Sequence, residues 1–197
     1  MAILRGLNPA DILPVAKALH AGGLRLLEIT LNSPAALDAI EALTKNFSSE
    51  ELLIGAGTVM DEKEAQQAMA AGASFIISPH TDAALIRATR EGGAVSIPGA
   101  FTPTEIVQAW RFGGQIIKVF PAGGGLSYFR ELRAPLNLVP LMPTGGIHAG
   151  NIAAFRDAGA VAFGIGSALV KMPFTVSDDS LKGITENTKE LVQALTV

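Results

Sequence analysis

The stretch that decides the fold is Gln115-Ile-Ile-Lys-Val-Phe-Pro121, a short apolar run that one charged residue, Lys118, interrupts. Its apolar residues do not alternate with polar ones, and continuous apolar character is typical of a parallel strand covered on both faces. The β-rich part of this run is Ile116 to Phe120, and it is one of eight such runs in the chain. The other seven are Ala2 to Leu4, Leu26 to Leu31, Leu52 to Ile54, Phe75 to Ser78, Ala94 to Ile97, Leu138 to Leu141 and Val161 to Ile165.

Segments with helical periodicity separate these runs, as in the spacing of Ala65, Ala68 and Met69. Capping residues mark several helix starts, for example Thr102-Pro103, and glycines such as Gly22-Gly23 mark helix ends. Repeated strand and helix alternation predicts an α/β fold, a (β/α)8 TIM barrel that forms a single domain over residues 1–197. The alternation alone is also compatible with an open, doubly wound sheet.

Composition excludes several classes of protein. The 197 residues are 49% hydrophobic and 17% charged, which excludes a disordered chain and a coiled coil. The net charge is -3 and no cluster of Lys and Arg occurs, so we expect no nucleic-acid partner. No apolar run is long enough to span a bilayer, and residues 1–5 lack the layout of a signal peptide, so we expect no membrane association. The lack of Cys is consistent with a cytoplasmic protein.

Two isolated charges in apolar strands are the strongest candidates for chemistry. An unpaired ammonium is costly to bury, so Lys118 either pairs with a carboxylate or has a lowered pKa. A neutral lysine amine can attack a ketone and form a Schiff base. Glu28, within Leu26-Leu-Glu-Ile-Thr30, could shuttle protons for such a lysine. The alternatives are a structural ion pair and a lysine that extends to solvent from a strand end.

Two glycine-rich stretches follow the last two strands. These are Pro143-Thr-Gly-Gly-Ile147 and Phe163-Gly-Ile-Gly-Ser-Ala168, and barrels often bind phosphate on the backbone at these loops. Either stretch alone could be a tight turn. Gly55-Ala-Gly-Thr-Val59 is a third such stretch, which indicates either close approach by a ligand or a turn. The three histidines do not combine with carboxylates at metal-ligand spacing, so we expect neither a metal nor another cofactor.

Seven motifs, in chain order, resemble those of the 2-keto-3-deoxy-6-phosphogluconate (KDPG) aldolase family. They are Leu-Glu-Ile-Thr at 27–30, Ile-Gly-Ala-Gly-Thr-Val at 54–59, Ile-Ser-Pro-His at 77–80, Ile-Pro-Gly at 97–99, Lys-Val-Phe-Pro-Ala at 118–122, Pro-Thr-Gly-Gly-Ile at 143–147 and Gly-Ser-Ala-Leu-Val at 166–170. The resemblance implies a class I aldolase, usually a homotrimer, that cleaves a phosphorylated keto-acid, KDPG, reversibly into pyruvate and glyceraldehyde 3-phosphate. Some members also act on 4-hydroxy-2-oxoglutarate.

The resemblance also assigns roles to residues of this chain. It implies that Lys118 forms the Schiff base and that Glu28 moves the protons. It places phosphate at Gly145, Gly146, Gly164 and Ser167, and the rest of the pocket at Thr58, Pro98, Phe120 and Thr144. We expect Arg5 to hold the pyruvate carboxylate, because a guanidinium can bind a carboxylate through two hydrogen bonds.

Some features point to other substrates or activities. Many KDPG aldolases carry an Arg where this chain has Asn32, and Leu31-Asn-Ser-Pro34 looks more like the branch that acts on the 6-phosphogalactonate epimer. Thr144 points instead to the gluconate branch. A phosphosugar isomerase or epimerase with Glu28 as base would use the same phosphate site without an imine. A protein that binds phosphosugars without turnover is a further alternative.

Overall fold

Parallel strands alternate with helices along nearly the whole chain. The structure is a computed structural model that describes residues 1–196, so Val197, the last residue of the predicted domain, lies outside the described residues. The strands are β1 (Ala2–Leu4), β2 (Leu26–Thr30), β3 (Leu53–Gly57), β4 (Phe75–Ile77), β5 (Val95–Ile97), β6 (Gly99–Ala100), β7 (Ile117–Val119) and β8 (Leu141–Pro143). The helices are α1 (Pro9–Ala21), α2 (Ala36–Asn46), α3 (Glu62–Ala70), α4 (Ala83–Glu91), α5 (Pro103–Arg111), α6 (Gly125–Arg133), α7 (Ala149–Asp157) and α8 (Asp178–Thr196), with one 3-10 turn at Ala122–Gly124.

Hydrogen bonds join the strands into two parallel sheets, β1 to β5 and β6 to β8, each in chain order. The first seam between the sheets lies at Pro98, which separates β5 from β6. The carbonyl of Pro98 accepts a hydrogen bond from the Lys118 N–H at 2.9 Å, and that of Ser96 accepts one from the Gln115 N–H at 2.9 Å. One bent strand therefore pairs with β4 on one side and β7 on the other.

Residues 163–165 close the second seam, between β8 and β1. The Gly164 N–H donates to the carbonyl of Pro143 at 3.1 Å, and the Ile3 N–H donates to the carbonyl of Ile165 at 2.8 Å. Hydrogen bonds thus run around the complete ring. The predicted (β/α)8 barrel is confirmed, and the alternative of an open sheet is wrong.

Strand limits differ from the prediction by more than one residue in four places, and the first is β3, which extends to Gly57 and not to Ile54. The fifth predicted strand is divided at Pro98 into β5 and β6, because proline has no N–H to donate to the hydrogen bonds between strands. The seventh predicted strand corresponds to β8. It begins at Leu141 because the Arg133 guanidinium binds the carbonyls of Leu136 and Val139 and holds that segment in a turn. The eighth predicted strand is reduced to two residues, Gly164 and Ile165, which form single bridges to Thr144 and Ala2. A turn begins after them, at Gly166.

The interior of the ring determines where a site can form. A small apolar cluster of Phe75, Ile77, Ile97 and Met142 fills the centre, and its partly buried neighbours lie at or near strand starts: Met1, Leu26, Val95, Ile116 and Ala162. Apolar side chains therefore fill the amino-terminal half of the barrel, and the free space lies at the carboxyl ends of the strands.

Side chains cap three of the helices, including α5, which begins at the predicted Thr102-Pro103. Thr102 and Glu105 form a capping box at α5, and the side chains of Asp61 and Asp82 accept hydrogen bonds from the backbone at the starts of α3 and α4. These caps fix the loops that follow the strands. Within residues 1–196, none of the helices is both long enough and apolar enough to cross a membrane.

Candidate active site

A cavity of about 780 Å³ opens at the carboxyl ends of the strands. Eight of the eleven site residues predicted from the sequence line it: Arg5, Lys118, Phe120, Thr144, Gly145, Gly146, Gly164 and Ser167. The other three, Glu28, Thr58 and Pro98, do not line the cavity. The barrel therefore brings together residues that lie up to 162 positions apart in the chain, from Arg5 to Ser167.

Lys118 lies in the middle of β7 with only 4% of its surface exposed. Among the described residues, no carboxylate lies within salt-bridge distance of its Nζ. Burial lowers the pKa of Lys118; Arg5 lowers it further, and Glu28 opposes the shift. A structural ion pair therefore does not account for Lys118, and more of its amine is neutral than in an exposed lysine.

Glu28 lies in the middle of β2, is fully buried, and has no hydrogen-bond partner for either carboxylate oxygen within the described residues. Burial raises the pKa of Glu28, while the positive charges of Lys118 and Arg5 oppose the rise. For both groups burial is the largest cause, so the site favours a neutral amine beside a carboxyl that can bind a proton. This is the electrostatic arrangement that proton transfer between the two would need.

Gly57, at the end of β3, makes room for the Glu28 carboxylate. A Cβ at Gly57 would overlap Oε1 of Glu28, and a Cβ at Gly55 would overlap the ring of Phe75. The sequence offered two explanations for this stretch, ligand approach or a tight turn. The structure gives a third, because both glycines provide space for buried side chains on neighbouring strands.

Arg5 follows β1 and lines the cavity, and its Nη2 donates to Thr58 Oγ1 at 3.4 Å. Thr58 has φ of 57°, a left-handed conformation that is costly for a β-branched residue. Gly6, the residue after Arg5, donates its N–H to Ser33 Oγ at 2.9 Å and so anchors the loop that carries Arg5. Thr58 is thus placed to orient Arg5 and not to line the cavity.

The backbone forms the opposite end of the cavity. Gly145 and Gly146 adopt φ of 99° and 73°, which favours glycine, and they follow Thr144 after the end of β8. Within residues 1–196, the N–H groups of Gly145, Gly146, Gly166 and Ser167 donate to no protein acceptor. Four free N–H groups along one wall can bind an anion such as phosphate.

Gly164 differs from these glycines. Its N–H is already bound to the carbonyl of Pro143, and a Cβ there would overlap the side chain of Thr144. Thr144 is 3% exposed, and its hydroxyl has no partner within the described residues. Gly164 therefore lines the cavity and permits close packing by Thr144, but its N–H is not free to bind phosphate.

Pro98 contributes through its backbone. Its carbonyl binds the Lys118 N–H, and its ring lies 2.7 Å from where a Cβ of Gly114 would be, away from the lining of the cavity. Pro98 thus fixes the backbone position of Lys118.

Sequence analysis missed several lining residues, of which Gly166, Lys171 and His148 carry polar groups. Gly166 lies inside the quoted motif Gly-Ile-Gly-Ser and could have been found there. Lys171 and His148 lie in loops, where no periodicity marks them. Within the described part of the chain, no three His, Asp or Glu side chains are grouped so that they could hold a metal ion.

Comparison with known proteins gives a match to the family described as KDPG and KHG aldolase, over residues 1–186. The 2-dehydro-3-deoxy-phosphogluconate aldolase of Treponema pallidum is 40% identical over 74% of this chain and 69% of its own length. The KHG/KDPG aldolase of Escherichia coli K12 is 40% identical over 73% of this chain and 66% of its own length. A probable 2-dehydro-3-deoxy-6-phosphogalactonate aldolase of Rhizobium meliloti is 36% identical over 90% of this chain and 84% of its own length.

Two solved structures are also similar. One, described as native KDPGal, superposes with a TM-score of 0.90 at 30% identity and covers 98% of this chain and 92% of its own. The other is the KDPG aldolase of Legionella pneumophila with pyruvate captured as a covalent carbinolamine, with a TM-score of 0.83 at 31% identity and coverage of 96% and 93%.

These matches agree with the resemblance inferred from the sequence motifs, which is confirmed. They favour a lyase over the isomerase or epimerase that the sequence left open, because the matched proteins are named as aldolases. On the match over residues 1–186 and these relatives, the chain belongs to the KDPG and KHG aldolase family.

Proposed function

We propose that this protein is a class I aldolase that cleaves KDPG into pyruvate and glyceraldehyde 3-phosphate through a Schiff base on Lys118. The observation that carries the proposal is the position of Lys118, buried in a strand without a salt bridge among the described residues and facing a cavity. Because burial lowers the pKa of Lys118, its amine becomes neutral, and therefore nucleophilic, at a lower pH than that of an exposed lysine.

The first stage forms the imine. The neutral Nζ of Lys118 attacks the C2 carbonyl carbon of the substrate and gives a carbinolamine. Loss of the hydroxyl group as water, with one added proton, gives a cationic iminium. The fully buried carboxyl of Glu28, whose pKa burial raises, is suited to deliver that proton.

The second stage cleaves the carbon–carbon bond. Glu28, now ionised, accepts the proton of the C4 hydroxyl, the C3–C4 bond breaks, and its electron pair neutralises the iminium to an enamine. Glyceraldehyde 3-phosphate leaves as the aldehyde. Protonation of the enamine at C3 and addition of water then release pyruvate and restore Lys118.

The two ends of the cavity suit the two anionic ends of this substrate. Arg5 can hold the carboxylate next to the ketone. The free N–H groups of Gly145, Gly146 and Gly166, with the Lys171 ammonium on the same wall, suit a phosphate. The volume of about 780 Å³ is sufficient for a phosphorylated six-carbon acid.

The 6-phosphogalactonate epimer is a second candidate substrate, and specific observations favour it. The relative from Rhizobium meliloti is named for that epimer and aligns over 90% of this chain, and the native KDPGal structure superposes with a TM-score of 0.90. Leu31-Asn-Ser-Pro34 also resembles that branch, whereas Thr144 favours the gluconate epimer. The two substrates differ in configuration at C4, the carbon that becomes the aldehyde.

We also propose that the chain forms a homotrimer in the cytoplasm. A designed cage made by fusing symmetric oligomeric domains contains a chain that superposes with a TM-score of 0.90, which supports an oligomer. Trp110 and Phe112, 43% and 47% exposed near the end of α5, are candidates for the contact surface. Light scattering at several protein concentrations should give three times the chain mass; a constant monomer mass would contradict the proposal.

The test of the function measures pyruvate release from each epimer with a coupled lactate dehydrogenase assay. We expect turnover of KDPG that Lys118→Met abolishes. A kcat/KM higher for the galactonate epimer would replace the first substrate by the second. No turnover of either epimer by folded protein would contradict the proposed activity.

A further inference from the structure

The aromatic ring of Phe120 lies against the reactive nitrogen. Nζ of Lys118 is 5.0 Å from the centroid of the ring and over its face. Residues two apart on a strand project to the same side, which brings the pair together at the carboxyl end of β7. The Phe120 N–H donates to the carbonyl of Ala100 at 3.0 Å, and the ring edge lies 4.0 Å from where a Cβ of Gly145 would be. The Phe120 backbone is therefore bonded to β6, and one edge of its ring lies near the glycine loop.

Among the described residues, no carboxylate lies within salt-bridge distance of the Nζ atom on which the cation forms. The other titratable groups that line the cavity are Arg5, His148 and Lys171, none of which is an anion. Glu28, across the barrel on β2, is the carboxylate whose charge acts on Lys118, and it lies outside salt-bridge distance. Among the described side chains, the negative face of the Phe120 ring is therefore a contact partner for a positive charge on Nζ, in addition to the carboxylate that the substrate itself brings.

We propose that the ring of Phe120 stabilises the cationic iminium on Lys118 by a cation–π interaction, beyond its role as a wall of the cavity. This inference rests on the proposed Schiff-base function. The ring face is directed at the atom where charge develops, and the iminium nitrogen is the same Nζ atom that the ring already contacts.

The electrostatic role has a specific pH dependence. Below the pKa of Lys118, the resting ammonium and the iminium are both cations, so the ring stabilises reactant and product alike and its effect on the imine equilibrium cancels. Above that pKa the resting amine is neutral, and the ring stabilises only the iminium. A purely structural role for Phe120 would change imine formation by the same factor at every pH.

The test replaces Phe120 by phenylalanines with one, two and three ring fluorines, which weaken the negative face while nearly preserving ring shape. The readout is the fraction of protein that borohydride traps as a pyruvate adduct on Lys118, measured by peptide mass spectrometry across pH. We expect the trapped fraction at high pH to fall stepwise with each fluorine, by about tenfold in the imine equilibrium constant for three. At low pH it should not change.

Fluorination of Phe101 provides the matched control. Phe101 has a similar exposure, 39% against 37%, stacks on Tyr128 with ring centroids 4.9 Å apart, and does not line the cavity. Its fluorination should leave trapping unchanged at all pH values. Phe120→Leu, which keeps an apolar side chain without a ring, should reproduce the loss at high pH.

Each outcome separates the two proposals. If the unmodified protein traps no pyruvate, the Schiff-base function fails and this inference fails with it. If the unmodified protein is trapped on Lys118 and three fluorines at Phe120 leave trapping unchanged, or reduce it equally at every pH, the cation–π role alone is contradicted.

Discussion

The two ends of the cavity are built from different parts of the chain. At one end lies Lys118, a buried side chain on β7, while Glu28 on β2 is fully buried outside the lining, and burial is the largest cause of the pKa shift of both groups. At the other end, the polar groups are backbone N–H groups of exposed loops, at Gly145, Gly146 and Ser167. In the proposed mechanism, the barrel therefore encloses the group that reacts and leaves open to solvent the groups that only bind.

This comparison predicts that changes at the buried end reduce kcat, whereas changes at the exposed end raise KM. The largest effect is expected for Lys118→Met, which removes the amine and keeps an unbranched side chain. We expect kcat to fall by a factor of about 10⁴ to 10⁶ with the fold retained, because no other amine occupies this position. A turnover assay measures kcat, and circular dichroism measures whether the fold is retained. A kcat near that of the unmodified protein would contradict the assignment of the reactive amine to Lys118.

Glu28→Gln should have the next largest effect, since the amide keeps the shape of the carboxyl and cannot exchange protons. We expect kcat to fall by about 10² to 10⁴ with little change in KM. Trapping of pyruvate by borohydride, followed in time, should be slower as well. A change in KM alone would place Glu28 in binding and would contradict its assignment to the buried, reactive end.

Gly57→Ala tests whether the position of the Glu28 carboxylate matters, without changing a charged group. The added methyl would overlap Oε1 of Glu28, so the carboxylate must move, and we expect kcat to fall by up to about 10². Gly123→Ala is the matched control at the same end of the barrel, because its Cβ would meet no atom within 4 Å. Equal kcat for the two variants would show that the carboxylate tolerates displacement.

The smallest effect is expected at the exposed end. Lys171→Ala should raise KM for the phosphorylated substrate about twofold to fivefold and leave kcat unchanged, since an exposed ion pair contributes little. Added salt should reduce the difference. Lys63→Ala, at an exposed position on α3 outside the cavity, is the control and should change neither constant. A loss of kcat with Lys171→Ala would mean that the open end also takes part in the reaction.

The buried charged residues of the site could be predicted from the sequence more fully than the exposed glycine loops. Lys118 and Glu28 could be found because a single charge in an apolar strand interrupts a pattern. The glycine loops could be located as motifs, but hydrogen bonding within them could not. Whether the N–H of Gly164 is free depends on its pairing with Pro143, a contact between strands that local composition does not encode.

The fold was predictable for a similar reason, since the alternation of strands and helices is periodic along the chain. Closure of the ring was not, because it depends on hydrogen bonds at Pro98 and at residues 163–165, which are distant in sequence from their partners. The role of Gly57 likewise appears only when β3 lies beside β2, with Thr30 paired to Gly57.

Borohydride reduction in the presence of pyruvate measures whether the Lys118 amine forms a covalent imine. The account predicts one adduct per chain, found by peptide mass spectrometry on Lys118 and lost in Lys118→Met. No adduct in folded protein, or an adduct on a different lysine such as Lys171, would contradict it.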